Sequence, residues 1–241
     1  MDAFFRPRKR LGPPCAISSP RKTSFFPISG KIKNFDPTKQ PEVILALKRM
    51  HRKIGRAQEQ ATPLTKTLLK QLLNNCDNGI MGIRNQVLLR LGYETMRRRS
   101  ELCAFKFEDI DYASNGKPII RLNFSKTDQF GTGKVIPISE ELLNLLGKWE
   151  GIVADEGYIL RSINKHGHIG DSLNPASIST ILKTLQEGLK FGSNQQPLSG
   201  HSFRVGAALD LLEQGEPLEK IMRIGGWQSD STAMKYLRNW I

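Results

Sequence analysis

Cysteine is scarce in this chain. There are three in 241 residues, Cys15, Cys76 and Cys103, and none sits in a CxxC or another metal-like pair. An odd number of scattered thiols argues against a disulfide framework and fits reduced cysteines in a cytoplasmic compartment. Long apolar runs are missing too, so no segment can cross a bilayer as a helix and no membrane partner is expected. The N-terminal Phe4-Phe5 pair leads into a basic cluster rather than an apolar stretch with a small-residue cleavage site, so no secretory signal is expected. Neither a metal-ligand set nor an ATP-binding motif is present, and no metal or other cofactor is expected. Acidic residues are outnumbered, 23 Asp and Glu against 36 Lys and Arg, which favours a polyanionic partner.

The excess charge is unevenly spread. Residues 1–60 hold 14 Lys/Arg and 4 Asp/Glu, whereas residues 61–241 hold 22 and 19. A basic tail on an ordinary domain would therefore account for the total as well as a basic domain would. Hydrophobic residues make up 39% of the chain, enough for a true core, and the length allows one large domain or two small ones.

Residues 1–40 are rich in Pro, Ser, Lys and Arg without an apolar period and read as mostly disordered or extended. Val43, Ile44, Leu47, Met50 and Ile54 then fall at helical spacing, on a helix that also carries Lys48, Arg49, Arg52, Lys53 and Arg56. The segment "QATP" interrupts it as a linker. Helical patterns follow from near Leu64 and through "GIRNQVLLRLGYETM". Another begins at "RRSELCAF" and ends at "KFEDID", with Cys103 in its core face. "KPIIRLNF" and "GKVIPIS" read as two strands joined by the hairpin-like "SKTDQFGT". "EELLNLLGKWE" returns to helix. Next comes a helix with Asn174 as cap and Pro175 in its first turn. The remaining helices end at Gly215, at the pair Gly225-Gly226, and near the C-terminus with Asp230 or Ser231 as cap. The expected fold is mostly α, with a small antiparallel sheet.

"GHSFRVGAA" is the most informative stretch. His201 and Arg204 are three apart, so a helix puts both on one face. The preceding Ser-Gly sets them near a helix N-terminus, where free N–H groups favour an anion. A phosphate suits the pair: an arginine grips two oxygens and a histidine moves or shares a proton. Taken alone, each candidate has a plain structural explanation. Arg97 to Arg99 read as a solvated basic face, with Arg98 and Glu101 spaced as a helical ion pair. Lys126 reads as a solvent contact at a strand end. Trp227 after two glycines reads as core, and Tyr236 as a half-buried tyrosine with a wet hydroxyl.

Order and spacing change that assessment. Arg98, Lys126 in a hairpin, His201-x-x-Arg204, Trp227 and Tyr236 together resemble the active-site series of tyrosine recombinases of the phage-integrase type. "SGHSFRVGAALD", "IMRIGGW" and "YLRN" resemble family members in both wording and gaps, "RRSELCAFKFEDID" resembles the family's first arginine motif, and Lys126-Thr127 its hairpin lysine. The resemblance spans about residues 41–241. It implies a catalytic domain over residues 61–241, preceded at 41–60 by a helix and linker like the end of a core-binding domain.

It also implies roles. Tyr236 would attack a DNA phosphate and form a 3′-phosphotyrosyl bond. Arg98 and Arg204 would bind the non-bridging oxygens. Lys126 would protonate the leaving 5′-oxygen, and His201 would accept the tyrosine proton. Trp227 would donate its indole N–H where many relatives have histidine. Glu101 would hold His201 or an arginine in place. Lys48, Arg49, Arg52, Lys53 and Arg56 would contact double-stranded DNA.

Residues 1–40 do not resemble the family's first domain, and only five residues follow Tyr236, where relatives extend into a neighbouring subunit. Self-association into the family's tetramer is expected to suffer accordingly. Two other readings stay open here: a DNA-binding remnant that no longer recombines, and a type IB topoisomerase-like enzyme.

Overall fold

Two helices of the chain are buried over much of their circumference, and this decides the architecture. In one, Val87, Leu88, Leu89 and Leu91 are all fully buried. In the other, residues 202–209 are buried without a break. A helix buried on so many sides sits inside a domain, and the other elements wrap these two. The computed structural model describes residues 36–55, 60–123, 133–153, 156–189 and 196–237. The expectation for residues 1–35 and the "SKTDQFGT" turn fall outside them.

The chain divides into two units, residues 1–57 and 58–241. In the first, a short 3-10 turn (Pro37–Lys39) sits where extended chain is expected, held by the Asp36 side chain accepting from Thr38 N at 3.0 Å. Helix α1 (Pro41–Ile54) follows, with proline in its first turn and Gly55 at its end. Its apolar residues Val43, Ile44, Leu47, Met50 and Ile54 are exposed, as are Lys48, Arg49, Arg52 and Lys53.

The second unit contains α2 (Lys66–Asn74), α3 (Ile80–Thr95) and α4 (Arg99–Ala104). Strands β1 (Ile110–Tyr112), β2 (Pro118–Leu122) and β3 (Lys134–Pro137) form an antiparallel sheet in chain order. Helices α5 (Glu140–Val153), α6 (Ser177–Gly188), α7 (Ser202–Glu213), α8 (Leu218–Gly225) and α9 (Asp230–Leu237) complete it. The mostly helical fold with a small antiparallel sheet is as expected.

Three local expectations are corrected. "KFEDID" does not end a helix. Helix α4 stops at Ala104, Phe107–Asp109 is a 3-10 turn, and Ile110–Tyr112 is a third strand, with Asp111 opposite Ile119. Three residues are too few to show alternation, so β1 has no visible period in the sequence. Asn174 caps a turn through Ala176 N at 2.9 Å rather than α6 itself, which opens at Ser177. The last helix begins at Asp230, which is therefore inside the first turn and not before it.

Helix α3 packs against α2, α5 and α7. Around it Phe105, Trp149 and Phe203 are fully buried, and the Trp149 indole N–H donates to Ile159 O at 2.7 Å. Gly206 lets the incoming chain cross α7: a Cβ there would lie 1.9 Å from the Leu64 carbonyl oxygen. The crossing is held by Leu64 N donating to Ser202 O at 2.9 Å. The end of α3 and the start of α7 consequently meet in the interior, and the candidate site is built where they meet. No helix among the described residues is long and apolar enough to cross a membrane.

Candidate active site

Helix α3 ends on Met96 in the left-handed region (φ 51°, ψ 34°), the only non-glycine at positive φ among the described residues. A methionine there is strained. The turn it makes presents two carbonyls to two arginines. Met96 O accepts from Arg204 Nη1 at 2.9 Å, and Thr95 O accepts from Arg97 Nε at 2.7 Å. Both guanidinium groups are buried, Arg204 at 2% exposure and Arg97 at 3%. Burial pulls the Arg204 pKa below the usual arginine value, and that of Arg97 down to about 10.

Arg98 is the residue just before α4. Its Nη1 donates to Glu101 Oε1 at 2.8 Å, and its backbone N–H to Glu101 Oε2 at 3.1 Å. Of the two partners the sequence allows for Glu101, the structure selects the arginine. Arg98, Arg99 and Arg204 stand near enough to His201 to disfavour its protonated form. With partial burial as the larger cause, they lower its pKa. His201 immediately precedes α7, with Arg204 in the first turn. Some of the amides expected to be free for an anion are already used: His201 N donates to Ser199 Oγ at 3.3 Å, and Ser202 N to Ser199 O at 2.9 Å. Attraction for an anion at this point therefore comes chiefly from the side chains.

Trp227 and Tyr236 close the site. The Arg204 guanidinium carbon lies 5.1 Å from the Trp227 ring and 5.9 Å from the Tyr236 ring, both within cation–π range. The Tyr236 ring is 5.1 Å from Trp227 and lies nearly parallel to His201, 6° apart at 6.4 Å. Tyr236 is half-buried, and its backbone carbonyl accepts from Gln60 Nε2. Two buried donors of the group, Arg204 Nε and Trp227 Nε1, have no hydrogen-bond partner among the described residues. Buried N–H groups are rarely left so.

The structure thus brings Arg204, His201, Trp227 and Tyr236 together, with Arg98 and Glu101 alongside. Lys126 and Arg56 lie outside the described residues, so their placement is not part of this geometry. Sequence reasoning missed two cations at the site. Arg97 is buried rather than on a solvated face, and its Nη2 donates to Ile224 O. Lys134, at the start of β3, donates to Arg223 O. A run of three arginines carries no mark of which one turns inward, and a lysine in a short strand carries no signal at all.

With this fold and this cluster of side chains, the chain belongs to the phage integrase family, whose model matches residues 63–240. Among its relatives, the recombinase Cre of Escherichia phage P1 is 28% identical over 222 residues, covering 84% of this chain and 64% of that protein. The crystal structure of XerA recombinase superposes with a TM-score of 0.57 at 20% identity, covering 85% of this chain and 72% of the other. A lambda integrase dimer bound to a COC′ core site gives a TM-score of 0.58 at 16% identity, covering 81% and 70%. At such identities the two structures establish the fold. The chain spans between 56% and 64% of the length of three of its sequence relatives.

Proposed function

We propose that the protein breaks and rejoins DNA site-specifically through a 3′-phosphotyrosyl intermediate. The supporting observation is the convergence of Arg204, His201 and Trp227 on Tyr236. The Tyr236 oxygen attacks phosphorus, and the bond from phosphorus to the 5′-oxygen breaks. The phenol proton passes to His201, whose lowered pKa keeps it neutral and able to accept. Arg98 and Arg204 bind the non-bridging oxygens and stabilise the added negative charge. The Trp227 indole N–H donates to the same group, and Lys126 gives the proton that the departing 5′-oxygen needs. The covalent bond conserves the energy of the phosphodiester, so rejoining runs the same steps in reverse.

Double-stranded DNA is the substrate and partner of this reading. The lambda integrase neighbour bound to its core site supports it, as does the exposed row Lys48, Arg49, Arg52 and Lys53 on α1, with Arg56 next in the same series. We also propose a catalytic domain over residues 61–241, preceded at 41–60 by a DNA-contacting helix and linker, and self-association on DNA. The lambda neighbour's being a dimer supports the latter, and sedimentation with and without duplex would register it. Free, at least half-buried Cys76 and Cys103 suit a cytoplasmic setting.

The test is a suicide duplex, nicked so that cleavage cannot reverse. The wild type is expected to form a denaturant-resistant protein–DNA adduct and Tyr236→Phe none. An equal adduct in both proteins, or binding without any adduct in the wild type, would overturn the reading.

A further inference from the structure

The last four carbonyls of a helix have no partner within it. Helix α8 ends beside the active site, and its terminal carbonyls are taken up in an unusual way. Met222 O accepts from the Gly226 and Trp227 amides, the latter at 3.0 Å. Arg223 O accepts from Lys134 Nζ, and Ile224 O accepts from Arg97 Nη2. Two cations from separate elements, the first residue of β3 and the turn between α3 and α4, therefore hold consecutive carbonyls at the negative end of the α8 dipole.

Immediately beyond those carbonyls the chain turns through Gly226, which is left-handed (φ 68°) and so close to Arg97 that a Cβ would stand 2.8 Å from its Nη1. Trp227 comes next, and α9 then carries Tyr236. We propose that Lys134 and Arg97 are positioning residues for strand cleavage, which pin the end of α8 and thereby set where Trp227 and Tyr236 stand over Arg204. The proposal rests on the cleavage reading above.

The arrangement is electrostatically costly, which argues against a purely structural purpose. Burial together with Arg97, Arg204 and Arg223 pushes the Lys134 ammonium down to about 8, and only Glu101 opposes this. A chain selected for stability alone would be better served by an uncharged residue at this half-buried position. Lys134 also sits directly across the sheet from Leu122, the last residue of β2. One ammonium thus ties the paired ends of β2 and β3 to the helix that leads on to Trp227 and Tyr236.

Three measurements on the whole chain test this. First, single-turnover cleavage of the suicide duplex at saturating protein is compared for wild type, Lys134→Met, Lys134→Arg and Lys126→Ala. Substrates carry either oxygen or sulfur at the bridging 5′ position, since a thiolate leaves without a proton. Lys134→Met is expected to cleave about 10- to 100-fold more slowly on both substrates, as a displaced nucleophile would. Lys134→Arg should recover most of the rate, and only Lys126→Ala should be rescued by sulfur. Second, the melting temperature of Lys134→Met should be unchanged or higher. Third, exchange of the Gly226 and Trp227 amides in Lys134→Met should speed up about tenfold while α3 and α5 stay as protected as before.

An unimpaired Lys134→Met, rescue of it by sulfur, or unaltered amide exchange would each overturn the proposal. So would a drop in melting temperature that accounts for the lost rate. If the wild type forms no adduct on either substrate, the cleavage reading has failed, and the exchange measurement still decides whether Lys134 anchors α8.

Discussion

Arg204 is held from several sides at the candidate site. Its Nη1 is committed to Met96 O, its Nε is buried without a partner among the described residues, and its face is covered by Trp227 and Tyr236. A lysine would keep the charge but lose the fork and the Met96 bond. Arg204→Lys is therefore expected to lower the cleavage rate about a hundredfold or more, read by single-turnover kinetics, with a smaller effect on duplex affinity. Glu101→Gln keeps an acceptor for the Arg98 backbone amide but removes the charge facing its guanidinium, and should slow cleavage about tenfold and lower the melting temperature, since a buried carboxylate is lost from among several cations.

His201 makes a prediction about pH. Its pKa is lowered in the folded protein, so acid protonates it and removes the acceptor for the phenol proton. Cleavage should fall as pH drops below the ordinary imidazole range. In that window the unfolded chain binds more protons, so stability should also rise with pH through it. A cleavage rate that stays flat on acidification would count against His201 as acceptor. At this scale the order of Arg98, Glu101, His201, Arg204, Trp227 and Tyr236 in the sequence singled them out as one group, and the structure gathers them. The sequence put Arg97 on a solvated face and was silent on Lys134, because the inward turn of both depends on carbonyls more than eighty residues away in the chain.

Among the elements, α3 and α7 carry the site because both are largely buried and meet in the interior. Their crossing with the incoming segment depends on Gly206 having no side chain. Gly206→Ala must displace the Leu64 backbone and should destabilise the protein by about 3 kcal/mol, measured by denaturant unfolding. Cleavage by the fraction that remains folded should fall too, since Leu64 is bonded to Ser202 beside His201. The helices were readable from their 3.6-residue period, and β2 and β3 from their β-branched runs. Strand β1 was not, because three residues gain strand geometry only from pairing with β2. The left-handed Met96 was equally hidden, since that conformation is normally announced by glycine or asparagine.

Over the molecule as a whole, the positive charge is concentrated ahead of the catalytic fold, and the row on α1 is exposed. Phosphate contacts of this kind release counterions, so duplex affinity should weaken at least about tenfold between 50 and 200 mM salt. Removing the charges of Lys48, Arg49, Arg52 and Lys53 should flatten that dependence without changing which tyrosine reacts. The basic composition pointed to nucleic acid but could not say which part binds it.

The central claim is that one phenol, that of Tyr236, becomes bonded to DNA under the guanidinium of Arg204. Peptide mass spectrometry of the adduct trapped on a suicide duplex tests it most directly. The nucleotide is expected on the peptide containing Tyr236, attached through a 3′-phosphate, and absent from those containing Tyr93, Tyr112 and Tyr158. A nucleotide on another residue, or cleaved DNA bonded to no residue of the protein, would contradict the account.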